Sequence, residues 1–242
     1  DRALVLSALP AAPTKETLSL ALSWMRDKAI SGEAGTAALK IARALAGEEP
    51  VLAAESLRKI QKTSQVESLK KEAEEALEEM QKNEGLILSW SVSSPYMKEG
   101  VGGPGLFDIA FEPETGKGDW KPAPAHDQGE DAGLLDFMGL PGAGENRAAY
   151  ARVLVLSPKN QGARLELGSD DGLKVWLNGE AIHGSNAARG HEFGEDKVPV
   201  KFKKGENLLL LKVTNGGGDW SLSCRVRDPS GGPIPGLRFR VP

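Results

Sequence analysis

Two adjacent carboxylates, Asp170 and Asp171, stand directly before Gly172 and the apolar run LKVWL. Paired carboxylates at a turn that opens a strand offer the hard oxygen ligands that calcium prefers. The same composition also makes an ordinary turn, in which an Asp caps its own loop and Gly172 supplies positive φ. Trp220 follows Gly-Gly-Gly-Asp and Trp120 sits in GDWKP, so both fall in turn-rich segments near loop ends. An indole exposed there stacks on the apolar face of a sugar ring through CH contacts and burial. Trp220 also opens a strand and can equally plug the end of a core. Trp176 lies mid-strand, on the side opposite Leu173, Val175 and Leu177. Trp90 reads as core. His183, Asn186, Arg189, His191 and Asp196 crowd one loop, where they can meet sugar hydroxyls and Arg189 can pair with an acidic sugar. That segment also reads as a plain exposed loop.

Catalytic constellations are harder to find. No Gly-x-Ser-x-Gly elbow accompanies His126 and Asp127, the three histidines lack H-x-x-x-H spacing, and GVGGPG lacks the Lys-Ser/Thr end of a phosphate loop. A carboxylate pair for glycoside cleavage is set by three-dimensional spacing and leaves no local signature. The single Cys224 excludes an internal disulfide and a Cys-based zinc site. A formal charge of −4 argues against a nucleic-acid surface, and no apolar run is long enough to span a bilayer. One cysteine fits either a reducing or an oxidising compartment.

The elements that must hold these residues change character near residue 85. Of the 29 glycines, 26 lie beyond residue 84. Residues 1–84 show helical periodicity: Leu18, Ala21, Leu22, Met25 and Ala29; Ala38, Ile41, Ala42 and Leu45; Ala53, Leu57 and Ile60; then Val66, Leu69, Ala73, Ala76, Leu77 and Met80. Thr14 and Ser64 stand where helices should begin, and Ser64 with Glu67 matches a capping box. The helices fall into two antiparallel pairs, 14–46 and 49–84, which predicts stacking of solenoid type. A start within a helix at Asp1 and a little over two repeats lead us to expect a longer natural protein.

Beyond Gly85 the period becomes two. Residues 86–93, 150–156, 163–167, 173–177, 198–202, 208–214 and 222–227 read as strands separated by turn clusters. FDIAF (107–111) and LLDF (134–137) are candidate extra strands in a long segment, 95–147, expected to wrap one end. Asn178-Gly179 is a hairpin signal of type I′. The fold expected is therefore α + β in separate domains: an α-helical repeat over 1–84 and an antiparallel β-sandwich over 85–242.

Three pieces of the second part stand in a familiar order: LSWSVSSPY (88–96), GSDDGLKVWLNGE (168–180) and KKGENLLLLKVTNGGGDWSLSCRVRD (203–228). They resemble the jelly-roll modules appended to bacterial glycoside hydrolases and other large secreted proteins. They are similar to galactose-binding-like carbohydrate modules and, through SDDG followed by WLNG, to the protective-antigen sugar-binding domain. The first part resembles HEAT-type repeats, and the pair together resembles large multidomain proteins of planctomycete-type bacteria. This resemblance implies a non-catalytic glycan-binding module beside neighbouring domains of a parent protein outside the cytoplasm. It implies a calcium ion on Asp170 and Asp171, with Asn215 and Asp219 completing the site. The loop NGGGD departs from a ligand-rich pattern. Trp120, Trp220, Arg189, Asn186 and Asp219 are then the residues expected to touch sugar. A structural or protein-interaction module, and a hydrolase with unrecognised carboxylates, are the alternatives.

Overall fold

The computed structural model describes residues 2–47 and 49–242. The chain divides into two compact units, Asp1–Glu84 and Gly85–Pro242. In the first, α1 (Arg2–Ala8) and a 3-10 turn (Leu9–Ala11) precede α2 (Lys15–Trp24), α3 (Ser31–Leu45), α4 (Pro50–Thr63) and α5 (Glu67–Lys82). Thr14 caps α2: its Oγ1 accepts the Thr17 N–H at 3.2 Å, while its own N–H donates to Thr17 Oγ1 at 2.9 Å. The apolar stripes meet in one core containing Leu18, Ala38, Ile41, Leu57, Ile60 and Ala73. Ser64 does not form the expected capping box. Its Oγ accepts the Val66 N–H at 3.1 Å, and α5 begins at Glu67 without a side-chain cap. The hydroxyl is consumed by its own turn before it can reach the helix.

In the second unit, β1 (Ser89–Ser93), α6 (Gly103–Leu106), a 3-10 turn (Glu112–Thr115), β2 (Trp120–Pro124) and β3 (Leu135–Asp136) lead into the long strand β4 (Arg147–Ser157). Then come β5 (Gln161–Asp170), β6 (Gly172–Leu177), β7 (Glu180–Ser185), β8 (Asp196–Phe202), β9 (Gly205–Asn215), β10 (Ser221–Arg227) and β11 (Arg238–Arg240). Residues 107–111 form no strand, and 134–137 supply only the two residues of β3. His183 lies in β7 rather than in a loop. Asn178 and Gly179 take φ of 53° and 85°, the left-handed pair that joins β6 to β7 through two residues.

All strand pairs are antiparallel. One sheet runs β2-β1-β4-β9-β6-β7 with β11 also beside β4, and the other runs β3-β10-β5-β8. Their inner faces share a core that includes Trp90, Val153, Leu165, Val175, Leu211 and Leu222. This is an antiparallel β-sandwich.

The outer face of the larger sheet is also covered, by residues 95–117. Lys212 points there from β9 and is fully buried, donating to the Phe107 carbonyl (3.0 Å), the Ile109 carbonyl (2.6 Å) and Glu114 Oε1 (3.3 Å). Tyr150 Oη donates to the same carboxylate at 2.6 Å. Sequence alternation marks Lys212 as facing away from the core. Nothing in the local pattern shows that a loop closes over it.

Candidate functional site

Strand order brings the acidic residues together. The chain leaves the smaller sheet at Asp170, the end of β5, and enters the larger one at Gly172. It makes the reverse crossing between Asn215 and Ser221, from β9 to β10. Because Gly172 pairs with Thr214 and Asp170 with Ser221, the two crossings lie side by side. Arg147 pairs with Asn215, which adds the turn before β4 to the same end. Gly103 closes the group: a Cβ there would lie 2.4 Å from the Asn215 carbonyl, so only glycine permits the approach. Its N–H donates to Asn146 Oδ1 at 2.9 Å.

Within this end the Asp170–Asp171 peptide is cis. Asp171 accepts the Gly216 N–H on Oδ2 at 2.7 Å and the Arg189 N–H on Oδ1 at 3.1 Å, tying three loops together. Asn215 is fully buried; its Nδ2 donates to the Gly144 carbonyl at 3.1 Å, while its Oδ1 has no hydrogen-bond partner. A buried amide oxygen without a donor is costly, and a cation would satisfy it. Burial, then the charges of Asp171 and Asp219, push the Asp170 carboxyl up to about 6. Asp219 is exposed on the glycine-rich loop, and the exposed Asn186 donates to the Pro104 carbonyl at 3.0 Å.

Hard oxygen donors with an orphaned acceptor and mutually repelling carboxylates are the donor set that suits calcium. Among the described residues no three His, Cys, Asp or Glu side chains are gathered closely enough to hold a metal by themselves. A cation here would therefore need amide and backbone oxygens as well as carboxylates.

The raised Asp170 carboxyl has a signed consequence. The ordinary unfolded value is about 3.9. Between that and about 6 the folded chain binds the extra proton, so this group's contribution to stability rises as pH falls through the window. In chelator at pH 8, Asp170→Asn should raise the melting temperature by about 1–2 °C. The gain over wild type should vanish by pH 4. Thermal unfolding of both proteins across that range measures the difference, and an unchanged gap would rule out Asp170 as its source.

Two sugar-contact expectations, Trp220 and Arg189, are corrected by burial and pairing. Trp220 is completely buried, its ring 5.2 Å from that of Phe137, so it offers no stacking face. Arg189 is already committed: its guanidinium meets Asp196 and Ser169 through Nη2 and Glu195 through Nη1, with 12% of its side chain exposed. Burial opposes the charge on Asp196, but the Arg189 hydrogen bond and charge, helped by His183, outweigh it and hold that carboxyl below its usual range. Trp120 is half-buried at the start of edge strand β2, with the Arg152 guanidinium 4.0 Å from its ring. Its indole lies on β2, across β1 and β4 from the crossings, and is not part of the acidic loop cluster. Trp176 is also half-buried, tilted against Tyr150 at 6.4 Å.

A shallow hollow of about 340 Å³ opens beside the Asn146–Gly103 contact, lined by Met97, Lys98, Val101, Gly102, Glu145 and Arg147, among others. Sequence reading missed it because both walls are loops without periodicity.

No family model matches the chain, and no curated protein matches it in sequence. Some solved structures match part of the chain. The PA14 domain of MpAFP antifreeze protein superposes with a TM-score of 0.39 at 8% identity, over 64% of this chain and 90% of that one. The epithelial adhesin 9 A domain from Candida glabrata, solved with Galβ1-3GlcNAc, gives 0.38 at 11%, over 63% and 88%. A β-glucosidase from Kluyveromyces marxianus, solved with glucose, gives 0.36 at 10%, over 57% of this chain but only 15% of the enzyme.

Proposed function

We propose that residues 85–242 form a non-catalytic glycan-binding module whose site is the end where the two sheet crossings meet. The observation that carries this is a fully buried Asn215 Oδ1 without a donor on the crossing that Asp171 ties down at Gly216, where the charges of Asp171 and Asp219 also act on Asp170. Asp170, Asp171 and Asn215 are the residues to hold calcium. The ion, when bound, supplies coordination to vicinal hydroxyls of a sugar. Asp219 and Asn186, both exposed at this end, add hydrogen bonds, and the adjoining hollow gives a second sugar unit room. Few immobilised contacts imply affinity on the order of micromolar to millimolar. We read the helical unit as HEAT-type repeats, the sandwich connectivity as a jelly roll, and the whole as part of a larger extracytoplasmic protein.

A second reading has its own support. Asp171 spends both oxygens on backbone N–H groups, and the ring of the β9–β10 crossing, that of Trp220, is buried against Phe137. A purely structural or protein-interaction module would look like this too. The 242-residue chain should be tested on a broad neutral-glycan panel in calcium and in chelator, with Asp170→Asn and Asn215→Ala beside wild type. Calcium-dependent binding lost at least tenfold in both variants is the expected result. Absence of calcium binding by calorimetry, together with no glycan hit, would leave the structural reading.

A further inference from the structure

The outer face of the larger sheet carries a cation that the chain leaves unmatched. Residues 95–117 cover the row that holds Tyr150 and Lys212, and the next row lies open beside it. The register sets Ser91, Arg152, Leu210 and Trp176 in that row, on β1, β4, β9 and β6. Strands about 4.8 Å apart put its two ends about 14 Å from one another. All four face away from the core, because Val92, Val153, Leu211 and Val175 hold alternate positions. Arg152 reaches over β1, and its guanidinium carbon lies 4.0 Å from the centre of the Trp120 ring. Its Nε is enclosed without an acceptor, and among the described residues no carboxylate or carbonyl meets its terminal nitrogens. Burial lowers its value, and no neighbouring charge opposes the shift. On the same face Lys212, Lys174 and Arg240 are each paired with a carboxylate. At the far end of the row Trp176 is half-buried, and its indole N–H, unlike those of Trp90, Trp120 and Trp220, is not enclosed. Leu210 and Leu154, both half-buried, form an aliphatic floor between the two. A partly desolvated guanidinium held by a ring rather than by a carboxylate favours an incoming anion.

We infer that this open row binds a uronic-acid oligosaccharide, with one carboxylate in the fork of Arg152 and a further sugar ring on the open side of the Trp176 indole. The planar guanidinium meets a planar carboxylate through two parallel hydrogen bonds, and stacking on Trp120 holds the fork in place. Leu210 and Leu154 take the apolar faces of the sugar rings between the two. A single unmatched cation suits one carboxylate of a sugar chain. A nucleic-acid duplex carries a charge about every 1.7 Å and needs several cations at once. This row lies on a sheet face rather than at the loop end, and it needs no metal.

The full chain should be titrated in chelator at low salt with oligomers of galacturonate, of mannuronate and of hyaluronan. Each is also offered as its methyl ester, which keeps the rings and removes the charge. Polyglutamate supplies carboxylates without a sugar, and dextran sulfate supplies sulfate in place of carboxylate. Binding to at least one uronate oligomer is expected, weakened by salt and at least about tenfold weaker for its ester. Arg152→Gln should cost at least about tenfold, and Arg152→Lys, which keeps the charge without the fork, about threefold or more. Trp176→Leu should cost about threefold or more. Lys40→Gln, an exposed position on the helical unit with the same loss of charge, should change affinity less than about twofold. Urea midpoints are taken beside each titration, and Arg152→Lys carries the test if Arg152→Gln does not fold. Unchanged affinity in the Arg152 variants, equal binding of the esters, tighter binding of polyglutamate or dextran sulfate, or no binding to any uronate oligomer would each overturn the assignment. Chelator is present throughout, so such a failure leaves the calcium reading of the loop end standing.

Discussion

Trp220→Ala is expected to destabilise the sandwich by about 3–5 kcal/mol, the cost of a large ring removed from a closed core. Its indole is fully buried against Phe137 and among the inward residues of both sheets. Urea unfolding of the full chain should show the second unit's transition moving to much lower denaturant. Trp220→Phe keeps an apolar ring beside Phe137 and should remain folded, with any glycan affinity unchanged. A folded Trp220→Phe protein that loses such affinity would return this residue to the binding surface. A loss below about 1 kcal/mol in Trp220→Ala would contradict its place in the core.

The second large effect is expected at the buried lysine. Glu114→Ala removes the carboxylate that ion-pairs with Lys212 and accepts from Tyr150 Oη, while the ammonium stays fully enclosed. Burial lowers the Lys212 value and Glu114 partly offsets this, so the lone charge becomes a liability once its partner is gone. Breaking such a pair from one side should cost about 3 kcal/mol. Lys212→Met removes the charge itself and should cost less, and the double variant should be more stable than Glu114→Ala alone. A double-mutant cycle in urea reads the coupling. Additive single effects would show that the carboxylate and ammonium do not support one another. The expected structural consequence is looser attachment of residues 95–117, seen as faster amide exchange there.

Much of the fold was legible because burial imposes a period. Alternation in residues 150–156, 163–167, 173–177, 198–202, 208–214 and 222–227 coincides with β4, β5, β6, β8, β9 and β10, and the 3–4 spacing before residue 85 coincides with the helices. Trp220 was within reach of the same rule. It shares parity with Leu222, Cys224 and Val226, so extending β10's pattern back by two residues turns it inward. Its Gly-Gly-Gly-Asp prefix is equally the signature of a loop end, so the prefix leaves both places open and the burial settles on the core. The strand β2 was hidden by Pro122 and Pro124, which an edge strand tolerates and a central one does not.

Local pattern dictates which residues are apolar on which strand face, where the turns fall, and that Asp170 and Asp171 sit at a strand boundary. What those residues meet is set by how the strands pack. Asp171 finds Gly216 because β5–β6 and β9–β10 cross between sheets at one end, a consequence of strand order that no local pattern encodes. Arg189 is occupied because Glu195 and Asp196 fold back onto it, and Lys212 is dry because residues 107–114 cover it. Periodicity reports the contact each residue makes with water or core, averaged along its own strand. Pairing between distant segments depends on register and topology, which are set by packing the whole sandwich at once.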